Sequence, residues 1–258
     1  MDQHPEASLT NEGDWAQYYS GRQFDLVERL AGMPSLIDEY LKGKPGRIFE
    51  MGCGGSHLLA RSAMLGWEVG GIDFNNKALA LISDYLALRN YENRNILFGD
   101  IFSYDYSELE DYYDILVSYG FLEHFTDPHL ILSKWKNILA EKGMVISIIP
   151  NLYSVNALLM KKFDPVFWSQ HIPYSPTDMD QFHTDAGLVP LRKAQYLGHY
   201  DILMLIPWSK IQQKINNIIV FKIIKYMAYY GVERLLRILP ASNMRRFNSF
   251  VMGVYVKE

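Results

Sequence analysis

Short apolar runs alternate with longer segments of helical periodicity over the first 150 residues. Short runs bounded by polar or glycine residues predict strands, whereas apolar positions recurring every three or four residues predict helices. The predicted order is strand 47–50, helix 57–65, strand 67–73, helix 76–88, strand 95–98, strand 112–118, helix 129–140 and strand 144–149. Strands separated by helices pair in parallel through right-handed crossovers. The pattern therefore predicts a doubly wound, Rossmann-like α/β sheet.

Beyond Pro150 the pattern loosens into a segment rich in aromatic residues and prolines. A short helix follows, with Thr177 as its predicted N-cap, Asp180 at the capping-box position and Gly187 at its end. Two more strands are predicted at 188–196 and 250–256. We expect a single domain over 1–258, comprising an N-terminal helical cap 1–45, a cofactor-binding core 46–150, a lid 151–176, a helical insertion 202–247 and a last strand 248–258.

Composition excludes several classes of protein. Of the 258 residues, 49% are hydrophobic and 21% are charged, which is ordinary globular usage. The only cysteine is Cys53, which excludes an internal disulfide and any multi-cysteine metal cage, and we expect no metal. Residues 1–11 lack an apolar signal segment, and the longest uncharged run, 143–160, is interrupted by Pro150. We expect a cytoplasmic protein without a transmembrane helix.

Charge is distributed unevenly along the chain. The total is −4, from 25 basic and 29 acidic residues, which provides no general field for nucleic acid, and we expect no nucleic-acid partner. The insertion holds eight basic residues and one acid, a net charge of +7 that leaves −11 for the rest. Cations alternating with apolar residues suit a helix at a membrane interface, so a peripheral contact with the inner membrane surface through 202–247 is one interpretation of the insertion. A helical cap with snorkelling lysines and a homodimer contact are the alternatives.

A glycine-rich turn follows the first predicted strand, with the residues Glu50, Gly52, Cys53 and Gly54. Glycines there let the backbone approach a ligand at the carboxyl edge of the sheet. His57 stands where a dinucleotide fingerprint has its third glycine, and a carboxylate such as Glu50 is ill placed beside a pyrophosphate. The turn therefore favours a ligand with a positive charge, and Cys53 is interpreted as a small filler of the turn.

Further carboxylates end the next two strands. Asp73 lies about 20 residues beyond Gly52, where a carboxylate accepts hydrogen bonds from ribose hydroxyls. Asp100 is placed to accept from an exocyclic amine, with Ile101 or Phe102 against the base. Together these residues favour a nucleoside that carries a cationic amino-acid tail. The remaining predicted contacts are Phe74, Ser118 and Tyr119.

The sequence resembles the class I S-adenosylmethionine-dependent methyltransferases over about 15–194 and the final strand. The matching motifs are Glu50-x-Gly52-x-Gly54, Ile72-Asp73, Gly99-Asp100-Ile101, Asp114 to Ser118, Leu122-Glu123-His124-Phe125 and 143–150. The resemblance implies S-adenosylmethionine as the cofactor and a seven-stranded sheet whose last strand enters antiparallel beside strand five. It also implies that Glu50 and the glycine turn contact the methionine moiety, Asp73 the ribose, and Asp100 with Ile101 the adenine. Trp15 and Tyr19 lie on an N-terminal segment that this family often folds over the cofactor.

Two histidines are candidates for catalysis. A hydroxyl acceptor must lose a proton during methyl transfer, and a neutral histidine is suited to take it. His124 follows strand four in the motif that the family places beside the donor, although a histidine there could instead hydrogen-bond the loop or orient Glu123. His171, in the lid, could bind the acceptor or replace His124 as the base.

The sequence favours O-methylation of a small molecule such as a lipid, a quinone precursor or a glycan intermediate. Ser118-Tyr119-Gly120-Phe121 stands where amino-methylating nucleic-acid enzymes carry Asn/Asp-Pro-Pro-Tyr/Phe, and the Pro-Cys nucleophile of cytosine methylation is absent. The alternatives are N-methylation of an amine or aminosugar, a non-catalytic binding protein that retains the nucleoside pocket, and a nicotinamide oxidoreductase.

Overall fold

A seven-stranded sheet forms the centre of the part of the chain that the structure describes. This computed structural model describes residues 8–10, 13–15, 37–91, 95–197, 206–215, 217–232 and 245–258. The strands are β1 (Arg47–Met51), β2 (Glu68–Asp73), β3 (Asn95–Phe98), β4 (Tyr113–Tyr119), β5 (Leu139–Pro150), β6 (Val189–Leu197) and β7 (Phe250–Val256). Their order is β3-β2-β1-β4-β5-β7-β6. The first five strands pair in parallel, and β7 lies antiparallel between β5 and β6, as predicted.

Helices cover the sheet and continue beyond it. They are α1 (His57–Met64), α2 (Asn76–Leu88), α3 (Pro128–Trp135), α4 (Val155–Phe163), α5 (Pro165–Ser169), α6 (Pro176–Asp185), α7 (Trp208–Lys214) and α8 (Ile218–Tyr226), with a π-helical turn Met227–Val232 after α8. Polar caps fix where several of them begin. The side chain of Asn75, for example, accepts from the backbone N–H groups of Lys77 and Ala78 at 3.1 Å each.

Two apolar layers, one on each face of the sheet, hold these elements together. Along β1, Ile48 belongs to the layer under α1 and α2, whereas Phe49 belongs to the layer under α3 and α6. This alternation follows from the two-residue period of a strand. Each fully buried Ile, Leu or Phe side chain contributes roughly 1.5–3 kcal/mol. Because both faces are covered, the carboxyl edge of the sheet is left for a ligand.

The fourth predicted helix is shorter than expected. The sequence predicts helix 129–140, but α3 ends at Trp135 and a 3₁₀ turn, Lys136–Ile138, leads directly into β5. Strand β5 starts at Leu139 rather than at the predicted residue 144 because Leu139 pairs with Tyr113 across a register shift in β4. The irregular register hides the first half of this strand from a simple periodicity analysis.

The predicted cap of α6 is also wrong. Ser175 is the N-cap, and it forms a capping box with Asp178, because Pro176 occupies the first helical position and moves the start two residues upstream of Thr177. Asp180, predicted for the capping box, instead accepts hydrogen bonds from the backbone of Ala194 at 2.9 Å and the hydroxyl of Tyr255 at 2.8 Å. It therefore ties α6 to β6 and β7. Gly187, with φ of +75°, follows the helix as predicted.

The lid segment and the insertion are both helical where they are described. Residues 151–176 contain α4 and α5, which begin at the N-caps Ser154 and Asp164 and were not predicted as helices. In the insertion, Trp208 of α7 lies with its ring centroid 6.3 Å from that of Phe221 of α8. Among the described residues, no helix is long and apolar enough to cross a bilayer.

Candidate functional site

The carboxyl ends of β1, β2 and β4 bring the predicted site residues to one edge of the sheet. Glu50 in β1 pairs with Gly71 of β2 and with Val117 of β4. In the turn that follows, the backbone N–H groups of Gly52 and Cys53 donate to the carbonyl of Ile72 at 3.0 and 3.1 Å. Gly52 has φ of +67°, which a side chain rarely adopts. The turn is therefore held against β2 by its own backbone.

Glu50 and Asp73 form a pair of buried carboxyl groups beside this turn. Glu50 is 4% exposed and accepts a hydrogen bond from the hydroxyl of Ser56. Burial, with a smaller contribution from Asp73, raises the pKa of Glu50 to about 8. Burial also raises the pKa of Asp73, although its oxygens accept from the N–H groups of Gly54 and Asn75 at 2.8 Å each.

The chemistry of this pair fits S-adenosylmethionine. Within the described part of the chain, no lysine or arginine forms an ion pair with Glu50 or Asp73. Two buried carboxyl groups without a cation suit a ligand that brings an ammonium or sulfonium group, which lowers their pKa values again. A diphosphate would add negative charge at the same place. Glu50, the turn and Asp73 are therefore the residues that would hold the cofactor.

Cys53 lies in the middle of the same turn and is 3% exposed. Its pKa is raised by burial and by the neighbouring carboxyl groups of Asp73 and Glu50, so it remains a thiol. A Cβ atom on Gly71 would approach its sulfur to 2.8 Å, which shows how closely the turn packs on β2. Ser56 was not predicted for the site. Its signal is its place as the N-cap of α1, directly after the glycines.

The predicted adenine contacts lie after β3. One oxygen of Asp100 accepts from the backbone of Phe102 at 3.0 Å and the other from the hydroxyl of Ser103 at 3.3 Å. Ile101 is 4% exposed. Phe74, directly after Asp73, is half-buried.

The end of β4 supplies the other predicted contacts. Ser118 is 1% exposed, and its hydroxyl has no hydrogen-bond partner among the described residues. The ring of Tyr119 lies 5.8 Å from that of Phe250 of β7. Ser118 is therefore a buried polar group beside the turn, since it pairs in register with Met51 of β1.

The described part of the N-terminal segment reaches the end of β4. The backbone of Leu9 donates to the carbonyl of His124 at 2.8 Å. The ring of Trp15 packs edge-on against His124, with centroids 5.3 Å apart. Trp15 therefore contacts a predicted catalytic residue. Tyr19 lies outside the described residues.

His124 and His171 meet in a buried cluster, although they are far apart in sequence. His124 closes the 3₁₀ turn Leu122–His124 after β4, and His171 follows α5 in the lid. Their ring centroids are 4.6 Å apart. Nδ1 of His124 lies 2.7 Å from the carbonyl oxygen of Gln170, and Nδ1 of His171 lies 2.7 Å from that of Phe167. Because a carbonyl only accepts, Nδ1 carries the proton in both neutral rings, and Nε2 is the unprotonated nitrogen of each.

Glu123 completes the cluster. It is 1% exposed, its Oε1 lies 3.8 Å from Nε2 of His124, and its Oε2 has no hydrogen-bond partner in the described part of the chain. Burial raises the pKa of Glu123 to about 8. Burial, with a contribution from His171, lowers the pKa of His124 to about 4. At neutral pH Glu123 is therefore a neutral carboxylic acid and His124 a neutral imidazole.

Among the described residues, this cluster also has the side-chain types of a metal site. One ligand atom each from Glu123, His124 and His171 lie within 4.8 Å of one another. Histidines whose other nitrogen donates to a carbonyl are common among metal ligands. Ligand atoms about 2 Å from a zinc ion would have to move closer together than this. Our expectation of no metal stays a prediction, which metal analysis of the purified protein tests.

Relatives of known activity match parts of the chain. A stretch of 78 residues is 38% identical to the ribosomal RNA small subunit methyltransferase C of Alcanivorax borkumensis, but it covers only 24% of that protein. Two ubiquinone biosynthesis O-methyltransferases also match. The protein from Glaesserella parasuis is 32% identical over 102 residues, 43% of its length, and the one from Paraburkholderia phymatum is 27% identical over 164 residues, 63% of this chain and 68% of that protein.

The fold and the family agree with these matches. A crystal structure of a SAM-dependent methyltransferase from Archaeoglobus fulgidus superposes with a TM-score of 0.58 at 20% identity, over 96% of this chain and all of that chain. The family model described as "Methyltransferase domain" matches residues 13–193, which is most of the chain. With the glycine turn and the buried carboxyl pair at the carboxyl edge of a 3-2-1-4-5-7-6 sheet, this chain belongs to the class I S-adenosylmethionine-dependent methyltransferase family.

Proposed function

We propose that this chain transfers the methyl group of S-adenosylmethionine to a hydroxyl group of a small molecule, with His124 as the proton acceptor. The observation that carries the proposal is the hydrogen bond of 2.7 Å between Nδ1 of His124 and the carbonyl of Gln170. It leaves the lone pair of Nε2 for the proton of the acceptor. Burial, by lowering the pKa of His124 to about 4, keeps this nitrogen unprotonated at neutral pH.

The chain contributes alignment, exclusion of water and removal of the proton. S-adenosylmethionine, when bound, supplies an activated methyl group on a positively charged sulfur. As the hydroxyl oxygen takes the methyl group, the bond from that carbon to sulfur breaks and leaves the neutral thioether of S-adenosylhomocysteine, while the O–H bond breaks and its proton goes to Nε2 of His124. The resulting imidazolium lies 3.8 Å from Glu123, whose carboxylate form stabilises it. Glu123 therefore acts as a positioning residue that offsets the effect of burial on His124.

The surroundings of the cluster support an apolar or aromatic acceptor. Trp15 packs on His124, and Phe167 lies with its ring 4.6 Å from that of His171. An aromatic acceptor such as a quinone precursor gains from such ring contacts, and ubiquinone biosynthesis O-methyltransferases are among the relatives. Since the chain outside the insertion carries a net charge of −11, a nucleic-acid acceptor is disfavoured.

Methyl transfer from labelled S-adenosylmethionine to matched catechol and arylamine acceptors tests the proposal. We expect label in the catechol and a 100-fold or larger loss of rate in His124→Ala, which is within the usual contribution of a general base. Calorimetry with S-adenosylhomocysteine is the control, because binding of the demethylated donor should persist in this variant. Transfer to the arylamine alone, or nearly full rate in His124→Ala, would instead favour N-methylation. Binding of NAD without S-adenosylhomocysteine would favour an oxidoreductase.

A further inference from the structure

Helix α8 presents an apolar stripe to solvent. Ile219, Ile223 and Met227 follow one another at four-residue spacing and are 66%, 53% and 63% exposed. Residues at this spacing lie on one side of a helix. The rings of Tyr226 and Tyr230, exposed by 63% and 64%, lie beside the stripe with their centroids 4.4 Å apart. A soluble surface rarely groups so many large apolar side chains, so the stripe calls for a partner.

The opposite side of α8 is the one that packs on the protein. Phe221 is 5% exposed and lies against Trp208 of α7. Phe221 therefore marks the side of the helix that packs on α7, and Ile219, Ile223 and Met227 lie on the opposite, exposed side. A helix that merely caps the fold would bury its apolar face, so the cap alternative does not explain this arrangement.

The charges around the stripe have one sign. Residues 206–232 contain Lys210, Lys214, Lys222 and Lys225 and no aspartate or glutamate. Lys210 and Lys222 are exposed. An apolar stripe bordered by cations and by tyrosines is complementary to an anionic lipid surface, where apolar side chains enter the acyl boundary, tyrosines sit at headgroup level and lysines meet phosphates. In a two-fold homodimer through this face the same lysines would approach one another.

The helical insertion also adjoins the lid. Nζ of Lys214, the last residue of α7, lies 5.3 Å from the ring centre of Phe163 at the end of α4. Helix α5 follows directly, and its Phe167 supplies the carbonyl that holds His171. Helix α7, on which α8 packs, therefore lies next to the segment that carries one of the two candidate catalytic histidines.

We propose that α8 and the turn after it form a docking surface for an anionic lipid bilayer. The apolar stripe provides insertion into the interface, and the lysines select negatively charged headgroups. Binding is peripheral and depends on salt, because exposed charges are screened over about 10 Å at 0.1 M ionic strength. The inference is independent of the proposed reaction, since it depends only on the surface of the insertion.

Flotation of the full chain with vesicles tests the proposal. We expect binding to vesicles of phosphatidylglycerol and phosphatidylcholine, at least tenfold weaker binding to phosphatidylcholine alone, and release at high salt. The variant Ile219→Ser/Ile223→Ser/Met227→Ser should lose at least nine-tenths of the binding. The matched control is Leu65→Ser/Leu88→Ser/Leu191→Ser, which removes three other exposed apolar side chains and should bind like the wild type. Thermal melting checks that both variants fold.

The lysines give a second, independent measurement. Replacing Lys210 and Lys222 by glutamine should weaken binding about fivefold for each lysine. Equal binding to neutral and anionic vesicles, unchanged binding of the stripe variant, or no binding at all would overturn the proposal. Sedimentation without lipid separates the remaining alternative: a wild-type dimer that the stripe variant converts to a monomer would assign the face to a second copy of the chain.

Discussion

At the scale of single residues, burial decides which groups in the site carry charge. Glu50 and Glu123 both have pKa values raised to about 8 by burial, whereas that of His124 is lowered to about 4. In the free protein these three groups are therefore uncharged at neutral pH. A cationic donor changes this balance because it favours the carboxylate forms. Ligand binding and proton release are therefore linked at these residues.

Glu50 gives a direct test of this linkage. In the proposed cofactor site the ammonium group of S-adenosylhomocysteine pairs with the ionised form of Glu50, so we expect the affinity to rise as the pH increases from 6.5 to 8. Calorimetry over this range should show roughly a tenfold increase, because the free carboxyl must lose a proton below its pKa of about 8. In Glu50→Gln the affinity should be weaker and nearly independent of pH. A wild-type affinity that stays constant or falls would contradict the assignment of Glu50 to the methionine moiety.

Glu123 gives a separate kinetic test. At saturating S-adenosylmethionine, kcat/KM for the hydroxyl acceptor should rise with pH up to about 8, as Glu123 becomes a carboxylate able to stabilise the imidazolium of His124. Glu123→Gln should lower kcat by 10–100-fold and remove this rise. Its affinity for S-adenosylhomocysteine should stay within threefold of the wild type. A variant with the wild-type pH profile would show that Glu123 serves only to hold the loop.

Much of the proposed cofactor site can be predicted from local sequence, whereas the meeting of the two candidate catalytic histidines cannot. Glu50 and Asp73 stand at strand ends beside a recognisable turn, so their meeting follows from the parallel sheet. The approach of His171 to His124 depends on how the lid folds back, through the bond from the backbone of Ile172 to the carbonyl of Glu123 at 2.7 Å. No local pattern encodes such a long-range contact. The raised pKa of Glu123 likewise follows only from its three-dimensional burial.

At the scale of elements, local sequence predicts best the helices and strands whose own residues mark where they begin and end. The bounds of α2, β3 and β7 agree with the prediction. Helix α2 has an asparagine cap and a clear apolar face, and β7 is a continuous apolar run. The first half of β5 was missed because it depends on a register shift against β4. The lid helices α4 and α5 were missed because they are short, and the aromatic residues and prolines around them hide the helical spacing of their apolar positions.

The start of α6 offers a test with a built-in control. The sequence suggests Thr177 as the N-cap, whereas the structure assigns that role to Ser175, whose hydroxyl accepts from the backbone of Asp178 at 3.2 Å. Ser175→Ala should destabilise the protein by about 1 kcal/mol, the usual loss for such a cap. Thr177→Ala, at an exposed position, should change the free energy of unfolding by less than about 0.5 kcal/mol. Urea denaturation of the two variants checks this, and the reverse order would contradict the observed cap.

At the scale of the whole molecule, the fold separates two kinds of surface. The carboxyl edge of the sheet gathers buried acidic groups for a cationic nucleoside, while the described part of the insertion presents only basic charges to the outside. The lid lies between them and contributes His171 to the cluster. The architecture thus joins the proposed cofactor site, which could be predicted from the sheet, with a proposed acceptor side formed by segments outside the sheet.

The buried ionisable groups also determine how stability depends on pH. Between pH 6.5 and 8 the unfolded chain has released the protons of Glu50 and Glu123, whereas the folded chain still holds them because both pKa values are about 8. The folded state therefore binds more protons, and its stability must fall as the pH rises, by at most about 1.4 kcal/mol per pH unit for each carboxyl group. Below pH 6.5 the buried neutral histidines act in the opposite direction. The pKa values of His124 and His183 are lowered to about 4 and about 3, so these residues take up protons only on unfolding.

We accordingly expect the stability of the free protein to change little between about pH 5 and 6.5, where the two effects oppose each other, and its Tm to decrease from pH 6.5 towards pH 8. The double variant Glu50→Gln/Glu123→Gln should flatten the decrease, since its amides cannot titrate. Saturating S-adenosylhomocysteine should offset only the part of the fall in Tm that Glu50 causes, because the ligand binds more tightly as the pH rises. The part that Glu123 causes should remain. Denaturation at four pH values between 6 and 8 measures all three curves. A wild-type Tm that is constant or rises across this range would mean that both carboxyl groups are already ionised in the folded protein, and the electrostatic basis of the site would have to be revised.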